Sequence, residues 1–259
     1  MLYADTAHLR GHNPATPSLN YTNPMRILVL GAGKTGKLVA EVAAQRGHSV
    51  NVLDATENKN AAALTAPFVT GFEVVIDFTT PEAVVSNMRA CLANGAKMVV
   101  GTTGWHDKLP DMRAITERRG GALLYGTNFS IGMQLMLALS QKMVPALKAA
   151  GYTFSIDETH HTSKLDVPSG TALTLRDNVQ STLGRTDLGE HNEIVIHANR
   201  TGDVEGIHSL IATSSRDRII LTHESLSRKP FAEGAVRAAE WLSTQPTGVY
   251  DFQNIYDKL

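Results

Sequence analysis

The sequence predicts an α/β chain in two parts: a doubly wound parallel sheet, then an α+β domain whose sheet is mixed and largely antiparallel. Three observations carry this. From Met25 to Tyr125, short apolar runs alternate with helical patterns, as strands buried on both faces of a parallel sheet require. A glycine-rich turn stands between the first such run and the first helix. Beyond Phe129 the alternation gives way to one long helix, a half-exposed strand and a second helix, and then to three strands with no long helix between them.

The first 24 residues are polar, contain Pro14, Pro17 and Pro24, and lack the apolar segment of a signal peptide. They read as a disordered extension, or as the result of an upstream start codon where Met25 is the natural one. Arg26-Ile27-Leu28-Val29-Leu30 is the first strand. It feeds Gly31-Ala32-Gly33-Lys34-Thr35-Gly36, and Leu38 to Ala43 continues as a helix that Gly47 ends. Ser49 to Leu53 is the second strand, with Asp54 at its tip. As a bare pattern G-x-G-x-x-G is weak, but strand, glycine turn, helix and a following acidic residue together describe a Rossmann-like dinucleotide site. Gly31 permits the tight turn, Gly33 lets the backbone approach a pyrophosphate, and Gly36 lets helix pack on strand. The helix N-terminus, with Ala32, Lys34 and Thr35 around it, faces the phosphates. Asp54 accepts from the adenosine ribose hydroxyls. Ala55 and Thr56 follow with no Arg or Lys for a 2′-phosphate, so NADH is the preferred cofactor; Lys34 and Lys37 keep NADPH open.

The alternation continues with a strand over Glu73–Phe78, a helix over Ala83–Ala93 with Pro81 in its first turn, and a strand over Lys97–Val100. A helix from about Asp111 to Arg119 and a fifth strand, Ala122–Tyr125, follow. Two loops leave strand ends here: Gly101-Thr102-Thr103-Gly104 and Gly126-Thr127-Asn128-Phe129-Ser130. In a doubly wound sheet such loops line the ligand crevice, so Gly101, Thr102, Thr103, Gly126, Thr127, Asn128 and Phe129 join the cofactor candidates. Residues 25–128 therefore form the expected dinucleotide-binding domain and 129–227 the substrate-binding and oligomerisation domain. Residues 228–259, a C-terminal helix and tail, return to the first.

The second part opens with a helix over Ile131–Ala149 that tolerates Pro145, then an alternating strand over Tyr152–Asp157 that delivers Glu158 into a loop. That loop, Glu158 through Leu173, carries His160, His161 and Lys164 within five positions and then Pro168-Ser169-Gly170-Thr171. Ser169 is a good N-cap, so a helix opens at Gly170-Thr171 and its free N–H groups face the histidines and the lysine. A helix N-terminus beside imidazoles and an ammonium suits a small anion, carboxylates included. Taken alone, such a loop is most often solvated surface. The independent cofactor motif upstream turns it into the other half of a pocket. Strands follow over Glu193–His197, Gly206–Ala212 and Arg218–His223, then an apolar-striped helix over Phe231–Leu242 and a tail over Tyr250–Leu259.

Composition excludes several classes. Net charge is -1, and no basic run exceeds two residues, which argues against nucleic-acid and membrane-surface binding. No apolar run approaches the ~20 residues that span a bilayer. The single cysteine, Cys91, permits no internal disulfide and fits a cytoplasmic protein. No Cys/His grouping has zinc-site spacing, and adjacent His160 and His161 point apart on a regular element, so no metal is expected.

These residues resemble the dihydrodipicolinate (4-hydroxy-tetrahydrodipicolinate) reductase family. That family's pattern is an acidic residue, His-His, a Lys and D-x-P-S-G-T-A. This chain has Glu158, His160-His161, Lys164 and Asp166-Val167-Pro168-Ser169-Gly170-Thr171-Ala172. Further agreement lies in Asp77-Phe78-Thr79 with Pro81, Gly101–Gly104, Asn128-Phe129-Ser130, Arg200-x-Gly202 with Gly206-x-His208, and Ser227-Arg228 through Arg237. The likeness covers essentially everything from Met25 onward. It implies a homotetramer built through the second domain's sheet, NADH or NADPH in the first domain, and hydride transfer to a small cyclic dicarboxylate in lysine and diaminopimelate biosynthesis. It implies His160 as general acid, Lys164 as a source of positive charge, and His161 with the Ser169-Gly170-Thr171 helix start as the carboxylate site. Asp166 reads as a loop-fixing partner rather than a catalytic group. Two departures stand out: a short, alanine-rich span between Asp54 and Glu73, and no basic residue after Asp54. The rivals are another Rossmann dehydrogenase of amino-acid metabolism and a non-catalytic NAD(H) sensor. A phosphorylating semialdehyde enzyme needs a nucleophilic cysteine, for which Cys91 is poorly placed. A sensor has no need of His160, Lys164 and the helix start together.

Overall fold

The structure is a computed structural model that describes residues 23–184 and 194–259. The expected extension through residue 22, and the first residue of the strand expected to begin at Glu193, lie outside the described residues.

The first unit alternates strand and helix: β1 (Arg26–Leu30), α1 (Lys34–Gln45), β2 (Ser49–Leu53), a short α2 (Ala66–Val69), β3 (Val74–Asp77), α3 (Pro81–Ala93), β4 (Lys97–Val100), α4 (Leu109–Arg119) and β5 (Ala122–Tyr125). The second holds α5 (Ile131–Ala149), β6 (Thr153–His160), α6 (Gly170–Thr182), β7 (Val195–Arg200), β8 (Gly206–Thr213) and β9 (Arg218–Ser225). The chain closes with α7 (Lys229–Thr244) and β10 (Gly248–Asp251).

The six-stranded sheet runs β10-β5-β4-β3-β1-β2, every pairing parallel. Side-chain alternation divides each strand between two cores. Ile27 and Val29 face α1 and α7 with Val39, Val42, Ala235 and Ala239. Leu28 and Leu30 face the other way, onto α3 and α4 with Met88, Cys91, Leu92 and Met112. This two-faced burial is why the strands read as unbroken apolar runs.

β10 corrects the expectation of a plain tail. Gly248 to Asp251 pairs in register with Ala122 to Tyr125, adding an edge strand. An edge position is half-buried and needs no apolar run, so Gly-Val-Tyr-Asp carries no strand signature of its own.

The second sheet runs β7-β6-β8-β9, with β6–β7 parallel and the other two pairs antiparallel. One face packs on α5 and α6 through Ile156, Leu210, Leu137, Leu175 and Val179. The strand expected to stop at Asp157 runs on to His160, so Glu158 lies in a strand rather than in a loop. The hydrophobic pattern ends at Ile156, whereas the backbone ladder continues: Glu158 pairs with His208 and His160 with Arg200.

Candidate active site

The loops at the carboxyl ends of β1, β3, β4 and β5 meet at one edge of the parallel sheet, where doubly wound folds bind ligands. Three adjoining cavities form a groove there. The first, about 230 Å³, lies among Gly31, Ala32, Gly33, Asp54, Asn58 and Thr79. The second, about 400 Å³, is lined by Gly33, Lys34, Thr35, Gly101, Thr102, Thr103 and Arg228. The third, about 570 Å³, joins Thr35, Gly101 and Thr103 to Thr127, Asn128, Phe129, His160, His161, Lys164 and Thr171. Phe78 borders all three, its ring lying where a side chain on Gly101 would otherwise stand.

The glycines divide the work as the turn demands. Gly31 has φ +101, and a Cβ there would overlap the Phe78 carbonyl. A Cβ on Gly36 would overlap the Gly31 carbonyl, so helix and turn touch. Gly33 has nothing within 4 Å of that position, leaving its face open to the groove. α1 starts without a side-chain cap and without an acidic residue in its first turn, so its N-terminal N–H groups are available to an anion. These features fit a dinucleotide. The Asp54 carboxylate accepts from Thr56 N (2.7 Å) and Glu57 N (2.9 Å), which hold it below the usual carboxylate range and keep it charged at the mouth of the first cavity. Gly126 does not line the groove; it packs against Phe252 and Phe129.

Buried Asp77 organises two of these loops. Its Oδ1 accepts from Thr79 N, Thr79 Oγ1 and Thr102 Oγ1, at 2.7–3.0 Å, and its Oδ2 from Asn87 Nδ2 at 2.9 Å. Asn87 Oδ1 in turn accepts from Asn58 Nδ2, tying the loop after Asp54 into the same network.

The opposite wall comes from the second sheet. Along β6 one face runs Ile156, Glu158, His160, and along β8 the matching face runs Leu210, His208, Gly206. The two strands therefore leave the apolar core together and present polar side chains only at their site ends. Glu158 has a fully buried side chain. Its Oε1 accepts from Ser169 N (3.0 Å) and Arg200 (3.1 Å); its Oε2 lies 3.2 Å from His160 Nδ1 and 3.7 Å from His208 Nε2. Burial raises the Glu158 pKa, but Ser169, Arg200 and His160 outweigh it and leave the carboxyl below its ordinary value. Burial lowers His160, opposed by Glu158 and reinforced by Lys164 and Arg200, and the net shift is downward. His208, more deeply buried, is pushed down to about 4. The carboxylate and two imidazoles thus gather within 4.8 Å, a juxtaposition the adjacent His160-His161 pair did not announce, and Arg200 is the cation against the carboxylate.

His161 points away from this cluster. Arg228 only donates, so His161 Nε2 accepts from it (3.3 Å) and Nδ1 carries the hydrogen toward Ser163 Oγ (2.8 Å). Lys164 Nζ pairs with Asp166 Oδ1 at 2.7 Å, and Asp166 Oδ2 accepts from Gly170 N at 3.4 Å. Ser169 is 1% exposed: its hydroxyl accepts from Ala172 N as the α6 cap and meets His208 Nε2 at 3.2 Å, so it stands behind the cavity wall. Gly170 is exposed at the helix start, and Thr171 reaches the cavity with its hydroxyl accepting from Asn128 Nδ2 (3.2 Å).

Several lining residues were not assigned from sequence. Phe78, Glu205, Arg228 and Phe231 border the third cavity, and Arg228 Nε pairs with Glu205 at 3.0 Å. Phe78, Arg228 and Phe231 fall in stretches that the resemblance includes, whereas Glu205 carries no such signal. Cys91 is buried, with its thiol pushed up to about 12, first by burial and then by Asp77, so it is no nucleophile.

Models of two families match the chain: Dihydrodipicolinate reductase, N-terminus, over residues 25–129, and Dihydrodipicolinate reductase, C-terminus, over residues 132–256. A 4-hydroxy-tetrahydrodipicolinate reductase of Christiangramia forsetii is 35% identical over 245 residues, covering 91% of this chain and 99% of the relative. One from Natronomonas pharaonis is 37% identical over 248 residues, covering 89% and 99%. In fold, the chain is similar to the solved dipicolinate-bound dihydrodipicolinate reductase from Paenisporosarcina sp. TG-14, with TM-score 0.68 at 24% identity over 90% of this chain and all of that one. With both halves matched and the groove joining them in place, the chain belongs to the dihydrodipicolinate reductase family.

Proposed function

We propose the following reading of the groove, and the observation that carries it is its continuity from the glycine turn to His160, Lys164 and Thr171. The protein is an NAD(P)H-dependent oxidoreductase of lysine and diaminopimelate biosynthesis that reduces 4-hydroxy-tetrahydrodipicolinate to tetrahydrodipicolinate. Residues 25–128 bind the dinucleotide, 129–227 bind substrate and build a homotetramer, and 228–259 belong with the first domain. The dinucleotide, when bound, supplies the hydride.

Gly31, Ala32, Gly33, Lys34, Thr35 and Gly36 hold the pyrophosphate, and Thr102, Thr103 and Thr127 to Phe129 position the nicotinamide end. NADH is preferred. The fixed negative charge of Asp54 accepts ribose hydroxyls and repels a 2′-phosphate, and Ala55 and Thr56 offer no cation to offset it. Lys164, Thr171 and the first N–H groups of α6 hold the substrate carboxylates through charge-assisted hydrogen bonds, and His161 completes that carboxylate site beside Arg228. Hydride addition to a conjugated imine leaves an electron pair that needs a proton, and His160 gives it from Nε2. A reductase of amino-acid biosynthesis fits the cytoplasm as its compartment. Among the described residues no helix is long and apolar enough to cross a membrane.

The test follows nicotinamide absorbance with substrate generated by a coupling synthase, using NADH and then NADPH. Turnover is expected with the higher kcat/KM for NADH. His160→Gln is expected to lose about 10²–10⁴ in kcat with NADH binding unchanged. Tight NADH binding without turnover by the unaltered enzyme overturns the reading.

A further inference from the structure

We infer that Glu158 is a positioning residue for His160: its buried carboxylate fixes the ring's tautomer and, balanced against Arg200, sets how firmly the ring holds its proton. This rests on His160 being the proton donor.

Glu158 Oε2 and His160 Nδ1 face each other at 3.2 Å, an ion-pair contact short of hydrogen-bond alignment, and among the described residues neither atom has any hydrogen-bond partner. Both are buried, so each leaves an unmet demand unless it is met by the other. Glu158 cannot turn away, because Ser169 N and Arg200 hold its other oxygen. The acceptor that can meet a hydrogen on Nδ1, by a small turn of the ring, is therefore Oε2, and Nε2 is the atom left for chemistry. Nε2 lies on the Gly206 side, 3.1 Å from where a Cβ would stand, so the missing side chain gives that nitrogen its room. In the transfer the Nε2–H bond breaks and its electron pair stays on the ring. The hydride's pair forms the new C–H bond, the proton joins the substrate atom that receives the displaced π pair, and the neutral ring keeps its Nδ1 hydrogen toward Glu158.

The charged and titratable groups around His160 are few. Glu158 lies on its own strand, Arg200 on β7 and His208 on β8, with Lys164 and Asp166 on the following loop. Of these, Glu158 and Asp166 favour the imidazolium, whereas Lys164 and Arg200 disfavour it. Asp166 is already paired with Lys164 at 2.7 Å, so the remaining contest is between Glu158 and Arg200, with His160 and Arg200 sharing the Glu158 carboxylate.

The experiment is the pH profile of kcat at saturating NADH, with the His160 titration read independently by imidazole NMR in the NADH-bound enzyme. A donor must be protonated, so the rate falls as pH rises through its pKa. Glu158→Gln removes the supporting charge and should move this falling limb down by about 1 pH unit or more, with the low-pH plateau largely retained. Arg200→Gln removes the opposing charge and should move the limb and the NMR titration up. A purely structural role would lower the plateau in both variants without opposite displacements. Limbs that stay in place, or that move in the same direction, overturn the inference. If Glu158→Gln does not fold, Arg200→Gln with the NMR titration decides alone. His160→Gln separates the two claims: full turnover there removes His160 as donor, whereas lost turnover with unmoved limbs in the other variants removes only the role given to Glu158.

Discussion

His208 shows how a single buried side chain couples the site to the stability of the fold. Burial pushes its pKa down to about 4 from an ordinary 6.5. The folded state therefore holds His208 neutral while the unfolded chain takes up a proton. Stability from this residue is present above pH 6.5 and is lost as pH falls from 6.5 toward 4, amounting to about 3 kcal/mol over that window. Urea denaturation at stepped pH should show this acid loss, and His208→Gln should flatten the profile between those values. A profile as steep as that of the unaltered protein would place the acid sensitivity elsewhere. Gly206, its neighbour on the same face of β8, makes a second case. A methyl there comes 3.1 Å from His160 Nε2 and 3.6 Å from His208 Cε1, so His160, the proposed proton donor, must shift. Gly206→Ala should lower kcat about tenfold or more with NADH affinity unchanged, as measured by stopped-flow turnover and fluorescence titration. Neither residue stood out in the sequence beyond its place in a shared motif. What recruits both is strand register with β6, a long-range fact that local pattern does not contain.

Between elements, α1 and α7 are held by one carboxylate. Glu240 takes both forks of Arg46 at 2.7 Å each and His48 Nε2 at 2.9 Å, while His48 Nδ1 accepts from Met25 N. The pair is largely buried, with side chains 15% and 11% exposed. Glu240→Ala removes the carboxylate that the largely buried Arg46 and His48 share and should cost about 3 kcal/mol, read as a lower urea midpoint with dinucleotide binding intact. The parallel-sheet elements themselves were legible, because double burial writes apolar runs of four or five residues and glycine turns punctuate them. The site was legible where chemistry is concentrated in sequence: the glycine turn, the loops after Val100 and Tyr125, and the stretch from His160 to Thr171 all reach the groove. What was lost has physical causes. β6 continues past its last apolar residue because hydrogen bonds to β7 and β8 carry it, which placed Glu158 in a loop on pattern alone. β10 is an edge strand whose half-buried residues have no apolar signature. Arg228 and Phe231 come to the groove from a helix far along the chain, by packing that no local spacing records.

At the scale of the whole molecule, the second sheet has one face that no layer covers among the described residues of the single chain. Its helix-facing positions are settled by register: Ile156, Leu210 and Leu221 share a face with the α5–α6 core. The alternate positions point the opposite way, where Ser155 pairs with Val195, and Ile211 with Ile220. Val195 and Ile220 are each 54% exposed there, an unusual placement for β-branched apolar side chains on a broad, regular surface. Four strands presenting such a face match what a sheet-mediated oligomer needs, and the proposed homotetramer puts it against another copy. Ile220→Glu sets a carboxylate in that contact. Any symmetric assembly repeats the substitution at each equivalent position, so the cost multiplies with the number of interfaces. Light scattering coupled to size exclusion should report a tetramer for the unaltered chain and smaller species for Ile220→Glu. Circular dichroism and NADH binding should stay unchanged, because Ile220 touches neither the helix-side core nor the groove. A tetramer that survives the substitution would move the interface off this sheet, leaving its apolar face to be explained by another partner.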